Sequence, residues 1–334
     1  MSKHEQFIAL MKGDTPGKTL FYPILMHFAA RYNSKTYGEF ASDFRILVQS
    51  NIKCLEDFDL DLISLISDPY RETAAFGANV EFIPAGVPKC LNTIVSSSKD
   101  IENLRNPDVY ACDRTLDRIK GVEYYKKLLK DEVPVMGWVE GPLAEACDLA
   151  GVSEMLILLM TEPGLSAVLL DKCLITAKEF AKAQVDAGCD LIGIGDAICS
   201  QIDVDTYRAF VFDRHKELVD FIHSLGAFVK LHICGDTTHL WPLLSELKVD
   251  IFDPDFMTNM ENAHNIFGQE VTLSGNMNPV ELQDLTRDET IKQTRKLIYE
   301  NTGRKFILSA GCEITVNTPP ANILAMREAA NKLQ

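Results

Sequence analysis

Eight short apolar segments, each followed by sequence of helical period, predict an α/β fold of the (β/α)8 TIM-barrel type. One helix precedes the barrel, and an insertion separates its second and third strands. Second, His27, Asp68, Glu140, Asp196, His232, Cys234, Asp253, Asn276 and Cys312 all fall at or just past the end of a predicted strand, where this fold gathers its chemistry. Third, the chain has 334 residues, 46% hydrophobic and 24% charged, which is the make-up of a globular protein. Barrels reach this length without splitting, so we expect one barrel domain over 1–334, with 69–132 as an insertion that caps the site.

The elements follow in order. Ser2 and Glu5 form a capping box ahead of Phe7, Ile8, Leu10 and Met11, so the chain opens with a helix that Gly13 stops. Asp14 to Lys18 reads as a turn. Phe21 to Met26 is the first strand, and a polar stretch, His27 to Lys35, follows it. Helical spacing of Phe40, Phe44, Leu47, Val48 and Ile52 predicts one helix from Tyr37 to Phe58. The second strand, Leu60 to Ile66, ends at Ser67-Asp68.

Over 69–132 the periodicity loosens. Ala78 to Ile83 and Lys89 to Val95 pair as a hairpin about Gly86-Val87-Pro88, and Arg114 to Leu129 reads as an amphipathic helix. The third strand, Pro134 to Trp138, leads to Glu140, and the fourth, Leu191 to Ile194, to Asp196. Phe228 to Ile233, Val249 to Phe252, Val271 to Leu273 and Phe306 to Ala310 complete the set. Thr286 with Glu289 caps the helix down to Tyr299, and Pro319-Pro320 start the closing helix.

Residues two apart on a strand point to one side, so His232 and Cys234 project together from the end of the fifth strand. The eighth strand runs into Gly311-Cys312-Glu313 and brings a second thiol to the same rim. One imidazole and two thiolates with an open fourth position form a catalytic zinc set. The alternative is a core histidine with two inert buried thiols, since Cys is often buried for packing alone. His27 and His239 read as hydrogen-bonding or substrate-contacting residues rather than ligands. Asp68 and Asp196 are either site residues or caps of the helices behind them. Glu313 either orients a ligand or faces solvent, and Trp138 is either core or pocket.

A net charge of −15 argues against nucleic acid and against an anionic membrane surface. No apolar run approaches bilayer length, and the nine scattered cysteines suit reduced thiols, so the expected location is cytoplasmic.

Three stretches carry a family resemblance: Leu231-His232-Ile233-Cys234-Gly235-Asp236-Thr237-Thr238; Leu273-Ser274-Gly275-Asn276-Met277-Asn278-Pro279; and Leu308-Ser309-Ala310-Gly311-Cys312-Glu313-Ile314 with Thr318-Pro319. The chain resembles the uroporphyrinogen decarboxylase superfamily and, within it, the zinc-dependent methylcobalamin:thiol methyltransferases of the coenzyme M type. That resemblance implies Zn²⁺ held by His232, Cys234 and Cys312, and a corrinoid (methylcobalamin) carried by a partner protein. The other substrate is a small thiol or methyl donor. On this reading Asp68, Asp196 or Glu313 takes the thiol proton, and His27, Arg31, Glu140, His239 and Asn276 contact substrate.

The decarboxylase branch differs. Its N-terminal motif carries two arginines, where this chain has only Arg31, with His27 near the other position. Asp68 resembles its essential aspartate, and Cys312 stands where that branch has a late histidine. Decarboxylation therefore ranks behind methyl transfer, and a non-catalytic protein that binds zinc or a corrinoid partner is a third reading. A homodimer is a candidate assembly.

Overall fold

In the computed structural model, which describes residues 1–14 and 17–331, eight strands form one parallel sheet. They are β1 (Leu20–Phe21), β2 (Ile63–Ser64), β3 (Val135–Glu140), β4 (Leu191–Gly195), β5 (Phe228–His232), β6 (Ile251–Asp253), β7 (Thr272–Met277) and β8 (Phe306–Ala310). Neighbours run β1-β8-β7-β6-β5-β4-β3-β2, so the chain winds round once with a helical crossover at each step. β1 and β2 meet through Asp61, whose backbone N–H donates to the Phe21 carbonyl and whose carboxylate accepts from the Phe21 N–H, each at 2.9 Å. The fold is a TIM barrel, as the pattern of strands and helices predicts.

Two boundaries depart from expectation for local reasons. β1 does not reach Met26, because Pro23 has no N–H to extend the ladder to β8 beyond the Tyr22 N–H···O=C Leu308 bond of 3.0 Å. The polar stretch after it is a helix, Met26–Tyr32, that buries Phe28, Ala29 and Ala30. The single helix expected over Tyr37 to Phe58 is two, Tyr37–Ser42 and Phe44–Phe58. Asp43 separates them with extended backbone (φ −134°, ψ 112°), and its side chain accepts from the Arg45 N–H as an N-cap. The turn expected over 14–18 includes residues 15 and 16, which lie outside the described residues.

Between β2 and β3 the chain forms helix Arg71–Ala75, a small antiparallel hairpin of Val80–Glu81 with Lys89–Cys90, and helices Ser98–Asn103 and Asp113–Leu129. The N-terminal helix Lys3–Met11 closes the opposite end of the barrel. Its Phe7 and Leu10 pack with Leu20, Met136, Leu191, Ile251 and Ile307 from the strands and with Leu62 just before β2, and full burial of a side chain such as Phe7 contributes about 1.5–3 kcal/mol. No helix among the described residues is long and apolar enough to cross a membrane.

Candidate metal centre

β5 ends at His232, and the chain turns at Gly235, whose φ of +93° needs a residue without Cβ. Cys234 is thereby held beside the histidine, its Sγ 3.0 Å from His232 Nε2. β8 delivers Cys312 through Gly311, where any Cβ would meet the Phe256 backbone nitrogen at 2.2 Å. The Cys312 and Cys234 sulfurs lie 3.6 Å apart, and the three donor atoms all lie within 4.8 Å of one another. Zinc bonds of about 2.3 Å to sulfur and 2.0 Å to nitrogen in a tetrahedron put donors about 3.5–3.8 Å apart. The spacing of these donors is already close to that.

The electrostatics suit a cation. The hydrogen bond from Cys234 draws the Cys312 thiol well below its ordinary value, against the opposing effect of burial and with help from His232. The same bond, with burial, pushes the Cys234 thiol up, so the pair holds one proton between two sulfurs. His232 is raised despite its burial, because Cys234, Asp253 and Cys312 all favour its charged form. Its Nδ1 lies 3.2 Å from Asp253 Oδ2, and the Lys230 ammonium lies 3.0 Å from the same oxygen. Both contacts are at ion-pair distance but off the hydrogen-bond direction. Burial pushes the Asp253 carboxyl up, but Lys230 and His232 outweigh it and hold the group ionised. A carboxylate behind a histidine fixes the ring and its tautomer for metal binding.

These three residues lie at a cavity of about 190 Å³ on the C-terminal face of the barrel, with Ile24, Met26, Ile66 and Trp138 as apolar wall. Asp68, Glu140 and Glu313 supply its carboxylates. Burial raises Glu313 to about 7, although its Oε1 accepts from the His27 N–H at 2.8 Å. Asp68 is the reverse. Burial alone would push it up, but Arg114 and Arg71 hold it at about 2.

The uroporphyrinogen decarboxylase family profile matches residues 2–333. The chain belongs to the uroporphyrinogen decarboxylase family. The uroporphyrinogen decarboxylase of Geobacter metallireducens is 26% identical over 329 residues, covering 92% of this chain and 93% of that protein. The methylcobamide:CoM methyltransferase MtbA of Methanosarcina mazei is 28% identical over 269 residues, covering 79% of this chain and 77% of that protein. A solved structure of a methyltransferase from Methanosarcina mazei matches with a TM-score of 0.91 over 99% of both chains, at 20% identity, which shows the shared fold.

In this family member the structure brings Asp68, Glu140 and Glu313 to the cavity with His232, Cys234 and Cys312, and leaves the other candidates elsewhere. Asp196 is fully buried behind the wall. It caps helix Pro142–Ala150 by accepting from the Leu143 and Ala144 N–H groups at 3.2 and 2.9 Å, and meets His215 Nε2 at 2.9 Å. His27 reaches the site through its backbone, while its ring stacks on Tyr37 with centroids 4.7 Å apart. Arg31 points outward and binds the Val316 carbonyl and Asn317 Oδ1 at 2.9 and 2.6 Å. His239 bonds the Ile202 carbonyl at 2.9 Å, and Asn276 donates to the Asp255 and Thr258 carbonyls at 3.3 and 3.0 Å. A second trio, Asp196, Cys199 and His215, also has metal-like spacing. Its carboxylate oxygens and imidazole nitrogens already have protein partners, including Tyr207 Oη at 2.9 Å from His215 Nδ1.

Sequence reasoning passed over Lys230, Arg71 and Arg114. Arg71, fully buried, donates to Glu140 Oε1 at 3.0 Å, beside the Trp138 Nε1–H donation of 3.2 Å to the same oxygen. Lys230 carried a signal: an ammonium two residues before His232, on an otherwise apolar strand, calls for a buried anion within reach.

Proposed function

We propose that this protein is a zinc-dependent methyltransferase that moves a methyl group between a corrinoid carried by a partner protein and a small thiol or other methyl donor or acceptor. The observation that carries it is the His232–Cys234–Cys312 set, already at metal spacing and set in an open cavity. Zinc bound there would act as a Lewis acid that keeps a coordinated thiol ionised at neutral pH. The protein's own residues do the rest. Cys234 and Cys312 supply two negative charges that match the ion, and Asp253 holds the His232 ring with Nε2 forward. Trp138, Met26 and Ile66 exclude water around the reacting sulfur and position it.

We assign receipt of the thiol proton to Glu313, on the wall beside Cys312. Asp68 is committed to Arg114, and Asp196 to His215 and a helix start. The methyltransferase relatives act, by name, on a methylcobamide and CoM, which agrees with this reading. Tetrapyrrole decarboxylation is the weaker alternative, because a small cavity with no Lys or Arg on its wall among the described residues offers little to eight carboxylates. The test is methyl transfer from methylcobalamin to a panel of small thiols by zinc-loaded protein, followed by cobalamin absorbance. Transfer that disappears when zinc is removed is the expected result. A folded, zinc-loaded protein inert toward every thiol and every methyl donor tried would overturn the proposal.

A further inference from the structure

We propose that the interior of the barrel, directly behind His232, is a hydrated site in which bound water links Lys230, Asp253, Thr272, Ser274 and Ser309. Strand register places these side chains together. Ile251 pairs with Lys230 on one side and with Thr272 on the other, Asp253 pairs with His232, and Ser274 pairs with Ile307. Partners in a parallel ladder point to the same face, and so do residues two apart on one strand. Ile251 and Ile307 pack inside the barrel with Met136 and Leu191. Lys230, His232, Asp253, Thr272, Ser274 and Ser309 therefore point inward as well, and none is more than 6% exposed.

Among the described residues, fifteen buried side-chain nitrogen and oxygen atoms have no hydrogen-bond partner in the protein, and seven of them belong to these six residues. They are Lys230 Nζ, His232 Nδ1, both Asp253 oxygens, Thr272 Oγ1, Ser274 Oγ and Ser309 Oγ. Buried polar groups are nearly always satisfied, so a concentration of orphans on four adjacent strands calls for a partner from outside the chain. The Lys230 ammonium does lie over the Tyr22 ring, 5.4 Å from its centre, but a ring face takes the place of no lone pair. The array combines an ammonium, a carboxylate and three hydroxyls. Ammonium and carboxylate offset one another, so an ion of either sign would add an unpaired buried charge. Water adds none, and it both donates and accepts. With about three hydrogen bonds to each buried water, about two or three molecules serve the seven atoms. They give Asp253 the hydrogen bonds that its neighbours in the protein do not, and the inference depends neither on zinc nor on the reaction.

The test is a crystal structure of the full chain at a resolution that shows ordered water. Water density within about 3.2 Å of Asp253, Ser274 and the Lys230 ammonium is the expected result. A well-ordered barrel interior without it, its hydroxyls bonded to strand carbonyls instead, overturns the proposal whatever any variant does. An anomalous peak that marks an ion in that space overturns it too. Thr272→Val and Ser274→Ala give an independent sign, read as the midpoint of urea unfolding of the metal-free protein. Deleting a hydroxyl that binds water leaves the water short of a partner and lowers the midpoint, whereas deleting an orphan hydroxyl from a dry core raises it. We expect both midpoints to fall, and midpoints that hold or rise in both variants contradict a hydrated interior. Because neither measurement involves metal or turnover, a protein that failed to bind zinc would sink the methyltransferase reading and leave this result standing.

Discussion

Replacing Asp253 with Ala removes two interactions at once, and the structure says how they separate. Asp253 Oδ2 lies 3.2 Å from His232 Nδ1 and 3.0 Å from the Lys230 ammonium. The carboxylate is fully buried and Lys230 is 1% exposed, so the lone ammonium is left away from bulk water. Breaking a buried pair by deleting one member costs about 3–5 kcal/mol, most of it the stranded charge. Losing the carboxylate behind a metal-binding histidine costs about 10–100-fold in metal affinity, equivalent to about 1.4–2.7 kcal/mol.

The two losses respond differently to a second change. Lys230→Met in the Asp253→Ala background removes the stranded ammonium and restores most of the stability, yet leaves His232 without its neighbouring carboxylate and the metal affinity low. Urea denaturation of the metal-free proteins reads the first quantity, and zinc competition with a chromophoric chelator reads the second. Wild-type zinc affinity in Asp253→Ala would refute the role assigned to Asp253. A double variant no more stable than the single one would refute the buried-pair account.

Other consequences can be checked separately. Burial and the carboxylates Glu72, Asp68 and Asp196 raise Asp148 to about 8, so the folded state holds its proton more tightly than the unfolded chain does. Its contribution to stability is present at pH 4 and is lost as pH rises through 8, and Asp148→Asn should flatten the fall in urea stability between pH 5.5 and 8.5. His215→Ala leaves Asp196 short of a buried partner and should cost about 1–3 kcal/mol in urea melts with no change in zinc content; zinc loss there would instead point to the Asp196–Cys199–His215 trio as a metal site. In Gly193→Ala the new Cβ would meet Trp138 ring carbons at 2.2 and 2.4 Å. The indole must move, at a cost of about 1–3 kcal/mol with altered tryptophan fluorescence, and an unperturbed spectrum would show that Trp138 does not rest on Gly193.

Much of the fold was legible because apolar strands and helical periods survive in the sequence wherever a barrel buries them. Boundaries were less so, since they depend on single residues: Pro23 cutting β1 short, or Asp43 capping a helix inside an otherwise continuous apolar period. At the site, His232 and Cys234 were readable from strand alternation, and Cys312 from its place at another strand end. The partners of Asp68 and Glu140 were not, because Arg114 and Arg71 come from the segment between β2 and β3, where no pattern fixes distance to the barrel. Asp196 shows the limit from the other side. A carboxylate after a strand serves equally as a cap or a catalyst, and only its bonds to Leu143, Ala144 and His215 show how it is used here.

The most direct measurement is zinc content of the purified protein by elemental analysis, wild type beside Cys312→Ser, with circular dichroism to show that both are folded. The three-donor site predicts about one zinc per chain in the wild type and its loss in the variant. A folded wild type that takes up no zinc when it is supplied, or a Cys312→Ser protein that holds zinc as firmly as the wild type, would contradict the account.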